Sequence, residues 1–524
     1  MNKLKERMTL NPIMTFIILI ILTFIVSGIL SLLGVGATYS QVDNVGNTVR
    51  TFETVQSLFN LTGLKYVFTN TVSNFALFAP LVMLIIVLIG IGIMERSGFL
   101  KTAFSVLTKR FKKNTITFIW VFICIIASII GDLSYVILIP LSALLWIHGK
   151  RNPLIGIVAT FAALTSGSGL SVIFTSIDST LMAQTLIGAN IIDQNYILEP
   201  MMFIIIKSIG ALICAILVTR ITEGLIAPRM GKYEFEKNSE TDEIKIEDIE
   251  DIEEVKGLDK DEKRGLFIGL LAGFIYILIF AYNIIPGLPL SGNLLDPSQN
   301  FYIDKLFGID SFFSQGFVFI ITILFVVLGL FYGIGAKTIK NNKDICDYLG
   351  HSLDGIGRPI TFIFFAATFI SLFKYTNIGV VITASFAEFI STTSFQGLPL
   401  VILIFVIGLL TSLVLPSPII RWSILSGVVV PVVMIAGISP EFAQVIFRFS
   451  DVFIGLTPLF AYFIIYLAFM EKYNQEERPF ALFRAIKMQL PYSLTVGGIL
   501  LALLILWYLV GLPIGIDGSA VLLG

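Results

Sequence analysis

The chain has 524 residues, of which 56% are hydrophobic and only 14% are charged, well below the roughly 25% charged residues of a soluble protein. Its formal net charge of −1 argues against a nucleic-acid partner, because proteins that bind nucleic acids carry a basic patch to meet the phosphates. Apolar runs of about 20 residues, long enough to cross the hydrocarbon core of a bilayer, recur from one end to the other. The composition therefore predicts an all-α polytopic membrane protein.

Basic residues gather in clusters between the apolar runs, and cytoplasmic loops hold an excess of Lys and Arg. The clusters lie at 3–7, 109–113, 150–151, 220–232, 337–343 and 472–484. We therefore place all of them, and the N-terminus, on the cytoplasmic side. The first apolar run, 13–33, is longer than the apolar region of a signal peptide and lacks a small-residue cleavage motif, so we interpret it as an uncleaved first span.

The first half contains a predicted hairpin and a predicted broken helix. Residues 116–148 leave one cytoplasmic cluster and return to the next in two apolar halves of about 15 residues, which are short for full spans. We expect a re-entrant helical hairpin that turns at Gly131-Asp132. Residues 153–188 are interrupted by Thr-Ser-Gly-Ser-Gly-Leu-Ser at 165–171, and glycine and serine clustered at mid-depth indicate an unwound break.

The second half repeats this pattern in the opposite sense. Residues 398–438 are interrupted by Pro416-Ser-Pro418, which predicts a second hairpin entered from outside, and residues 441–473 carry Thr457-Pro458 within a second break. Further spans are predicted at 201–221, 267–285, 314–335, 360–373 and 491–512, with an amphipathic stretch at 378–391. The expected total is about nine transmembrane helices plus two re-entrant hairpins, arranged as an inverted repeat with two broken helices.

The chain divides into a first membrane half, 1–233, and a second membrane half, 265–524. Between them, the segment 234–264 is acidic and mixed in charge, a composition that favours a solvated cytoplasmic linker or a short surface helix. The outer loop at 36–72 is polar and mixed, and it predicts no catalytic site.

Four charged residues fall at mid-depth in the first hairpin and the broken helices: Asp132, Asp178, Arg448 and Asp451. A charge at the bilayer centre is costly and is by default a functional hypothesis. The alternative is that Arg448 and Asp451, three residues apart, only neutralise each other and lock a helix. Inverted repeats with broken helices are the layout of secondary transporters, whose solute binds at the midplane between the repeats.

These residues take provisional roles in such a site. We expect Asp178 and Asp451 to hold the coupling ion, Na⁺ or H⁺, and Arg448 to bind a carboxylate of the solute. Trp422 would stack on a flat apolar group of the solute, and its alternative role is a packing or interfacial anchor. Its neighbour Arg421 either contacts the solute or snorkels to the interface. The predicted solute site also includes Asp178, Ser417 and Asp451. The predicted ion-coupling site also includes Asp132, Ser171 and Thr457.

No strong enzyme motif occurs in the sequence, and no metal or other cofactor is expected. Gly131-Asp132 is similar to the end of the G-x-G-D motif of intramembrane aspartyl proteases, but residue 129 is Ile. This partial similarity leaves one alternative function, an intramembrane hydrolase that uses Asp132 with Asp178 or Asp451. The only two histidines lie on or near cytoplasmic ends, which removes most histidine-base chemistry. The three cysteines show neither metal-ligand spacing nor a disulfide framework.

Six stretches, spread along nearly the whole chain, match one family pattern. They are "SNFALFAPLVMLIIVLIGIGIMERSGFL" (73–100), "GDLSYVILIPLSALLW" (131–146), "SIDSTLMAQT" (176–185), "VTRITEGLIAPRMGKY" (218–233), "RWSILSGVVVPVVMIAGISPEFAQVIFRFSDV" (421–452) and "TPLFAYF" (457–463). These stretches resemble the p-aminobenzoyl-glutamate transporter (AbgT) family of bacterial inner-membrane proteins. The resemblance implies a dimer of nine-span protomers with two hairpins each. It also implies ion-coupled import of p-aminobenzoyl-glutamate or export of sulfonamide-type antimetabolites.

The resemblance maps the family's important positions onto Asp178, Trp422, Pro431, Arg448 and Asp451, all present in this chain. Pro431 thereby joins the predicted solute site, and its alternative role is a helix kink. The chain departs from the family pattern with Ser171 for Asn in the first break, Ile454-Gly455 for Thr-Asn in the second break, and Ile419 for a serine at the second hairpin turn. Losing amide oxygens from both breaks weakens the expectation of sodium coupling and of the usual solute.

Overall fold

The computed structural model describes residues 11–42, 48–231, 233–234, 258–308, 310–476 and 479–522. Most of the predicted acidic linker (235–257) and the first basic cluster (3–7) lie outside the described residues. Within the described ranges the chain is mostly helical, as the composition predicts.

The helices of the two halves follow one another along the chain. In the first half they are α1 (Pro12–Leu32), α2 (Leu61–Ala76), α3 (Ala79–Arg96), α4 (Phe99–Arg110), α5 (Lys113–Ile126), α6 (Leu133–His148), α7 (Pro153–Gly167), α8 (Ser176–Ala189), α9 (Ile204–Ile221) and α10 (Ala227–Met230). In the second half they are α11 (Lys260–Ile284), α12 (Tyr302–Phe307), α13 (Phe312–Ala336), α14 (Asn342–Gly350), α15 (Gly357–Tyr375), α16 (Ile378–Thr392), α17 (Leu398–Val414), α18 (Pro418–Ile435), α19 (Pro440–Ser450), α20 (Ala461–Lys472) and α21 (Leu482–Val510).

Among the described residues, ten helical runs are long and apolar enough to cross a membrane. Two of the ten, Lys113–Ile130 and Pro418–Ile435, are arms of the predicted hairpins. The remaining eight, together with the broken helix formed by α7 and α8, match the predicted nine spans. The protein is therefore a multi-pass membrane protein.

A β-hairpin lies in the outer loop that the sequence shows as polar and mixed. Strands β1 (Gly36–Val42) and β2 (Thr48–Thr54) pair antiparallel, with Gly36 opposite Thr54. Both strands are rich in Thr, Val, Tyr and Phe, which favour extended backbone. Apolar side chains of β1 and of the segment after β2 pack with α16 and α18, in a cluster that includes Ala37, Tyr39, Val55, Ile378, Val381 and Ile424. The β-hairpin thus covers α16 next to the second hairpin.

Each predicted hairpin is a pair of helices joined at the predicted turn. α5 ends in a 3₁₀ turn, and Gly131 then adopts a φ of +59° before α6 begins. This left-handed conformation is accessible to glycine, which has no Cβ. In the second hairpin, α18 begins at Pro418, and the Ser417 hydroxyl accepts from the Ile420 amide at 3.5 Å. Proline at the first position of a helix suits its fixed φ and its missing N–H.

Both open ends of the first hairpin lie together at one end of α9. The Thr117 hydroxyl, near the start of α5, donates to Glu223 Oε1 at 2.5 Å. Arg151, just after α6, donates to the same oxygen at 2.6 Å. Glu223 follows the last residue of α9 by two positions. The first hairpin therefore starts and ends on the same side of the protein, as the basic clusters predict.

The second hairpin opens at the opposite end of α9. There the Ile205 amide donates to the Ile514 carbonyl at 3.0 Å, and the Gly437 carbonyl, just after α18, accepts from the Leu522 amide at 3.0 Å. Gly397, just before α17, lies against the hydroxyl of a tyrosine near the end of α21. Because α9 has 18 residues, it is about 27 Å long. The hairpins thus open at opposite ends of a spanning helix, as an inverted repeat requires. Which end faces the cytoplasm stays a prediction.

The first break lies a few residues beyond its predicted place. α7 continues to Gly167 and α8 begins at Ser176, so the break covers 168–175 and not the predicted 165–171. The helix continues past Thr165 because the hydroxyl of Thr165 donates back to the Phe161 carbonyl at 2.9 Å, which satisfies it within the helix.

The second break follows the predicted charged residues. α19 ends at Ser450, a 3₁₀ turn covers Asp451–Leu456, and α20 begins at Ala461. Arg448 therefore lies in the last turn of α19, and Asp451 opens the break. A discontinuous helix is present in each half, as the sequence predicts.

The contacts of the two halves correspond to each other. The first arm of each hairpin packs on the first part of the broken helix that follows it, α5 on α7 and α17 on α19. The second arm packs on the second part of the other half's broken helix, α6 on α20 and α18 on α8. This exchange is what an approximate two-fold relation between the halves produces, and it brings both turns and both breaks to the centre of the protein.

Candidate functional site

A cavity of about 620 Å³ lies where the two hairpin turns meet the two breaks. Its wall includes Asp132 and Ser417 from the turns, Ser168 and Thr175 from the first break, and the residues from Leu459, at the end of the second break, to Tyr462 in α20. The junction between α15 and α16 closes the remaining side. The volume falls within the range of about 300–1,000 Å³ that is usual for small-molecule sites.

Four helices begin at the wall of this cavity. The residues that precede the first turns of α6, α8, α18 and α20 are Asp132, Thr175, Ser417 and Phe460, and all four line the cavity. A helix N-terminus carries partial positive charge and backbone N–H groups without intrahelical partners. Four N-termini directed at one space therefore suit a negatively charged group.

The lining otherwise combines two charges with an aromatic wall. Among the described lining residues, only Asp132 and Lys374 are charged, and both are exposed. Tyr135 stacks on Tyr462 with ring centroids 5.2 Å apart, and it meets Phe460 edge-on at 5.3 Å. Such rings offer a flat apolar surface with polar edges. The cavity can therefore hold an aromatic solute with ionised or polar ends.

A cluster of five ionic side chains lies directly behind the cavity. Asp178, Lys207, Arg421, Arg448 and Asp451 are each no more than 4% exposed. Lys207 Nζ is 2.6 Å from Asp178 Oδ2, and Arg448 Nε is 3.5 Å from Asp178 Oδ1. Arg421 and Arg448 each bind one carboxylate oxygen of Asp451. We call these five residues the ion cluster.

Local sequence explains how each carboxylate of the ion cluster is held. Asp178 is the third residue of α8, where the Thr175 amide donates to Asp178 Oδ2 at 3.2 Å and the Asp178 amide donates to Thr175 Oγ1 at 3.1 Å. This reciprocal arrangement is a capping box. Asp451 follows Arg448 by three positions, so both point to one side of the chain. Arg448 also donates to the Ser168 carbonyl, which links the second break to the first.

The ion cluster carries an excess of positive charge. It contains three basic and two acidic side chains, so its formal charge is one positive when all are ionised. Within the described residues, Asp178 Oδ1, Arg421 Nε and Arg448 Nε lack a hydrogen-bond partner. A buried charge is costly unless it is paired. An anion placed next to the cluster would complete its charge balance.

The residues predicted from sequence fall into three groups. Asp132 and Ser417 line the cavity, whereas Asp178, Arg448 and Asp451 belong to the ion cluster. Ser168 and Thr175, which the sequence did not single out, line the cavity and also contact the cluster. Arg448 and Asp451 do contact each other, and three further charged residues share their environment.

The remaining predicted residues lie away from the cavity wall. Trp422 is fully buried, its Nε1–H donates to Thr185 Oγ1 at 2.8 Å, and its ring packs on Phe447 at 4.6 Å. This placement fits the packing alternative for Trp422. The Ser171 hydroxyl donates to a backbone carbonyl at 2.5 Å, and Thr457 is buried, with its Oγ1 accepting from the Leu459 amide at 3.3 Å. Pro431 lies inside α18. None of these four side chains contributes to the cavity lining.

One member of the ion cluster, Lys207, was missed from the sequence, and Arg421 was named without a place in such a cluster. Arg421 does not snorkel to the interface; it is fully buried, and its Nη1 donates to the Gly408 carbonyl of α17 at 3.0 Å. Lys207 lies near the start of α9, in a span read only as apolar. A single lysine among Ile and Phe residues is itself the signal, because charges within spans are rare and face the protein interior.

Two repeats, each with a helical hairpin and a broken helix around a central cavity, define a membrane transporter. The comparisons with known proteins agree. The sequence profile of the AbgT putative transporter family matches residues 4–522, so the chain belongs to this family. The chain is 26% identical over 515 residues to the p-aminobenzoyl-glutamate transport protein of Escherichia coli, with 96% of this chain and 93% of that protein covered.

Two solved structures are also similar. The Alcanivorax borkumensis YdaH transporter is 27% identical, with a TM-score of 0.47, and 97% of this chain and 100% of that chain are covered. Neisseria gonorrhoeae MtrF, described within a class of antimetabolite efflux pumps, is 28% identical, with a TM-score of 0.48 and 98% of each chain covered. The sequence relatives are transporters and not enzymes, so the hydrolase alternative is set aside. The two aspartates that this alternative would pair with Asp132, Asp178 and Asp451, are moreover each in an ion pair with a basic side chain.

Proposed function

We propose that the chain is an ion- or proton-coupled secondary transporter of an aromatic or amino-acid-like carboxylate, such as p-aminobenzoyl-glutamate. The observation that carries the proposal is the convergence of four helix N-termini on one cavity between the two hairpin turns. As the family resemblance implies, we also propose a homodimer in the bacterial inner membrane with a cytoplasmic N-terminus.

The carboxylate of the solute is supported by three sources of positive potential. The helix N-termini offer N–H donors, Lys374 lines the cavity, and the ion cluster behind Ser168 and Thr175 has one excess positive charge. A carboxylate therefore has several favourable partners, whereas a cationic solute would meet, among the described lining residues, one negative charge at Asp132 and the faces of the aromatic wall.

The aromatic part of the solute is supported by the wall formed by Tyr135, Phe460 and Tyr462. A benzoyl ring can stack on this wall or meet it edge-on. Asp132 lies at the start of α6 on the same wall and can accept a hydrogen bond from an amino group of the solute. A solute with an aromatic amine at one end and a carboxylate at the other matches this distribution.

Export of sulfonamide-type antimetabolites is the second candidate function. The observation that favours it is the description of the related MtrF within a class of antimetabolite efflux pumps. A sulfonamide drug presents an aromatic amine and an acidic group, so it would use the same cavity. The two candidates differ in the direction of transport and not in the site.

The test is solute flux in vesicles that contain the purified protein. Labelled p-aminobenzoyl-glutamate and a labelled sulfonamide are offered with imposed Na⁺ or pH gradients, and saturable uptake or counterflow is expected for at least one of them. Flux that neither saturates nor competes with unlabelled carboxylates would contradict the proposal. Sulfonamide susceptibility of expressing cells separates efflux from import, and the mass of the detergent-solubilised protein tests the dimer.

A further inference from the structure

The two aspartates of the ion cluster are the obvious carboxylates for a coupling sodium ion, so the fit of such an ion can be tested against them. A hard cation takes oxygen ligands. Here the carboxylate oxygens meet nitrogen instead. Asp178 Oδ2 accepts Lys207 Nζ at 2.6 Å together with the Thr175 hydroxyl at 2.9 Å, and Asp178 Oδ1 faces Arg448 Nε at 3.5 Å.

Asp451 is held in the same way. One of its carboxylate oxygens binds Arg421 and the other binds Arg448. Arg421 is fixed in this position, because its Nη1 also donates to the Gly408 carbonyl at 3.0 Å. Each oxygen of Asp451 already accepts from a buried guanidinium, so a metal ion bound there would lie beside fixed positive charges.

Two positions of the breaks also offer no free side-chain oxygen that could act as a ligand. The Ser171 hydroxyl is engaged with the Ile173 carbonyl at 2.5 Å. In the second break, Gly455 has no side chain, and a Cβ at this position would lie 3.0 Å from Thr165 Oγ1. A longer, oxygen-bearing residue would therefore need Thr165 to move. The second break and α7 meet too closely at this point to hold an ion between their side chains.

The net charge of the ion cluster also argues against a bound sodium ion. With Lys207, Arg421 and Arg448 set against Asp178 and Asp451, the cluster already has one excess positive charge. A sodium ion would raise the excess to two within a buried site, where like charges repel strongly. A solute anion would remove the excess.

We infer that Lys207 and Arg421 are tethered cations that take the place of a coupling sodium ion at Asp178 and Asp451. Lys207 is then a positioning residue, which holds the Asp178 carboxylate so that its second oxygen faces Arg448. The inference rests on the proposed transport function, and it adds that transport by this chain does not use sodium. The cations of the ion cluster are side chains and cannot dissociate from it. Its excess positive charge therefore remains available to an anionic solute.

The test measures cation-specific stabilisation of the purified full-length protein in detergent, with no solute present. Melting temperatures are recorded in NaCl, KCl and choline chloride at equal ionic strength, and the unsubstituted chain is expected to melt at the same temperature in all three. Lys207→Met leaves Asp178 Oδ2 without its cation. We expect this variant to gain a saturable, sodium-specific rise of roughly 2 °C at about one hundred times the dissociation constant. The matched control, Asp178→Asn combined with Lys207→Met, lacks the carboxylate as well and should not respond.

A saturable, sodium-specific rise in the melting temperature of the unsubstituted chain overturns the inference. A folded Lys207→Met variant that is indifferent to sodium overturns it as well. If Lys207→Met does not fold, Lys207→Gln, which keeps a hydrogen-bond donor without the charge, takes its place in the same comparison. Because no solute is added, these outcomes are independent of flux. Vesicles that transport none of the proposed solutes would contradict the proposed function and leave the sodium result standing.

Discussion

Substitutions at Arg448 and Asp451 should lower the stability of the protein by different amounts, because the two residues contribute charges of opposite sign to the ion cluster. Arg448 is the only one of the three basic residues that contacts both carboxylates. Arg448→Met therefore leaves two self-neutral pairs, Lys207 with Asp178 and Arg421 with Asp451. Asp451→Asn instead leaves both arginines without their shared carboxylate and raises the formal charge of the cluster from one positive to two.

The magnitudes follow from burial. Removing one partner of a buried ion pair costs about 3–5 kcal/mol, because the remaining charge stays buried, and this cost applies to Asp451, which is 1% exposed. Arg448→Met frees the Ser168 carbonyl, which costs about 1–3 kcal/mol for a buried acceptor without a partner, but it leaves no unpaired charge. In a chain of this length, 1 kcal/mol shifts the melting temperature by about 1 °C, so the variants should differ by roughly 2 °C.

Thermal melting in detergent and flux in reconstituted vesicles are the two measurements. We expect Arg448→Met to melt above Asp451→Asn and yet to lose solute flux, because the excess positive charge is gone. The control is Asp261→Asn in the pair with Lys337, which has the same kind of contact at 2.9 Å with side chains 41% and 61% exposed; a surface pair contributes only about 0–1 kcal/mol. If Asp451→Asn melts at or above Arg448→Met, the charge count of the cluster is wrong. Full flux in Arg448→Met would refute the role of that charge in binding an anion.

Three further outcomes are expected. Lys374→Gln should raise the KM for a carboxylate solute about tenfold, the equivalent of a charged hydrogen bond of about 1.5 kcal/mol, whereas Lys340→Gln in an exposed loop should leave KM unchanged. Trp422→Phe removes the hydrogen bond to Thr185 and should cost about 1 kcal/mol of stability without changing KM, since the indole does not line the cavity; a changed KM at an unchanged melting temperature would return Trp422 to the solute site. The Lys340 amide donates to the Asp344 carboxylate and holds the pKa of Asp344 below its ordinary value. This contribution to α14 is present above the unfolded-state pKa and is lost as pH falls through the lowered folded-state pKa, so amide exchange in α14 should accelerate in acid, and Asp344→Asn should abolish that acid dependence.

The turns and breaks were predictable because local chain chemistry determines them. Gly131 adopts the left-handed backbone that the first turn needs, and the Pro416-to-Pro418 segment cannot continue a helix without losing backbone hydrogen bonds. The first break was misplaced because a threonine hydroxyl can either compete with helical hydrogen bonds or join them, and Thr165 joins them. The spacing of Thr175 and Asp178, which is that of a capping box, marks the start of α8 and could have corrected the boundary.

The ion cluster was only partly predictable, since its partners come from different helices. Lys207 and Asp178 lie on α9 and α8, and Arg421 is 30 residues from Asp451, so no helical or strand spacing connects them. Sequence could show that these charges must find partners within the protein. It could not show which ones, because that depends on how the second arm of one hairpin packs on the broken helix of the other half. The placement of Trp422 against Phe447, away from the cavity, depends on the same packing.

The joint between the two halves and the candidate solute site share one side chain. Arg448, at the end of α19, donates to the Ser168 carbonyl of the first break and contacts both carboxylates of the ion cluster. The chain approaches so closely here that a Cβ on Gly169 would collide with the Arg448 carbonyl, so only glycine fits. Because Ser168 also lines the cavity, a solute anion at that wall lies next to the residue that holds the breaks together. Under the proposed function, the anion would share Arg448 with the Asp178 carboxylate, whose 3.5 Å contact with Arg448 is the longest in the cluster. Solute binding and the junction of the two halves would then depend on the same guanidinium, which would give a transporter of this design a physical means of linking occupancy to the arrangement of its repeats.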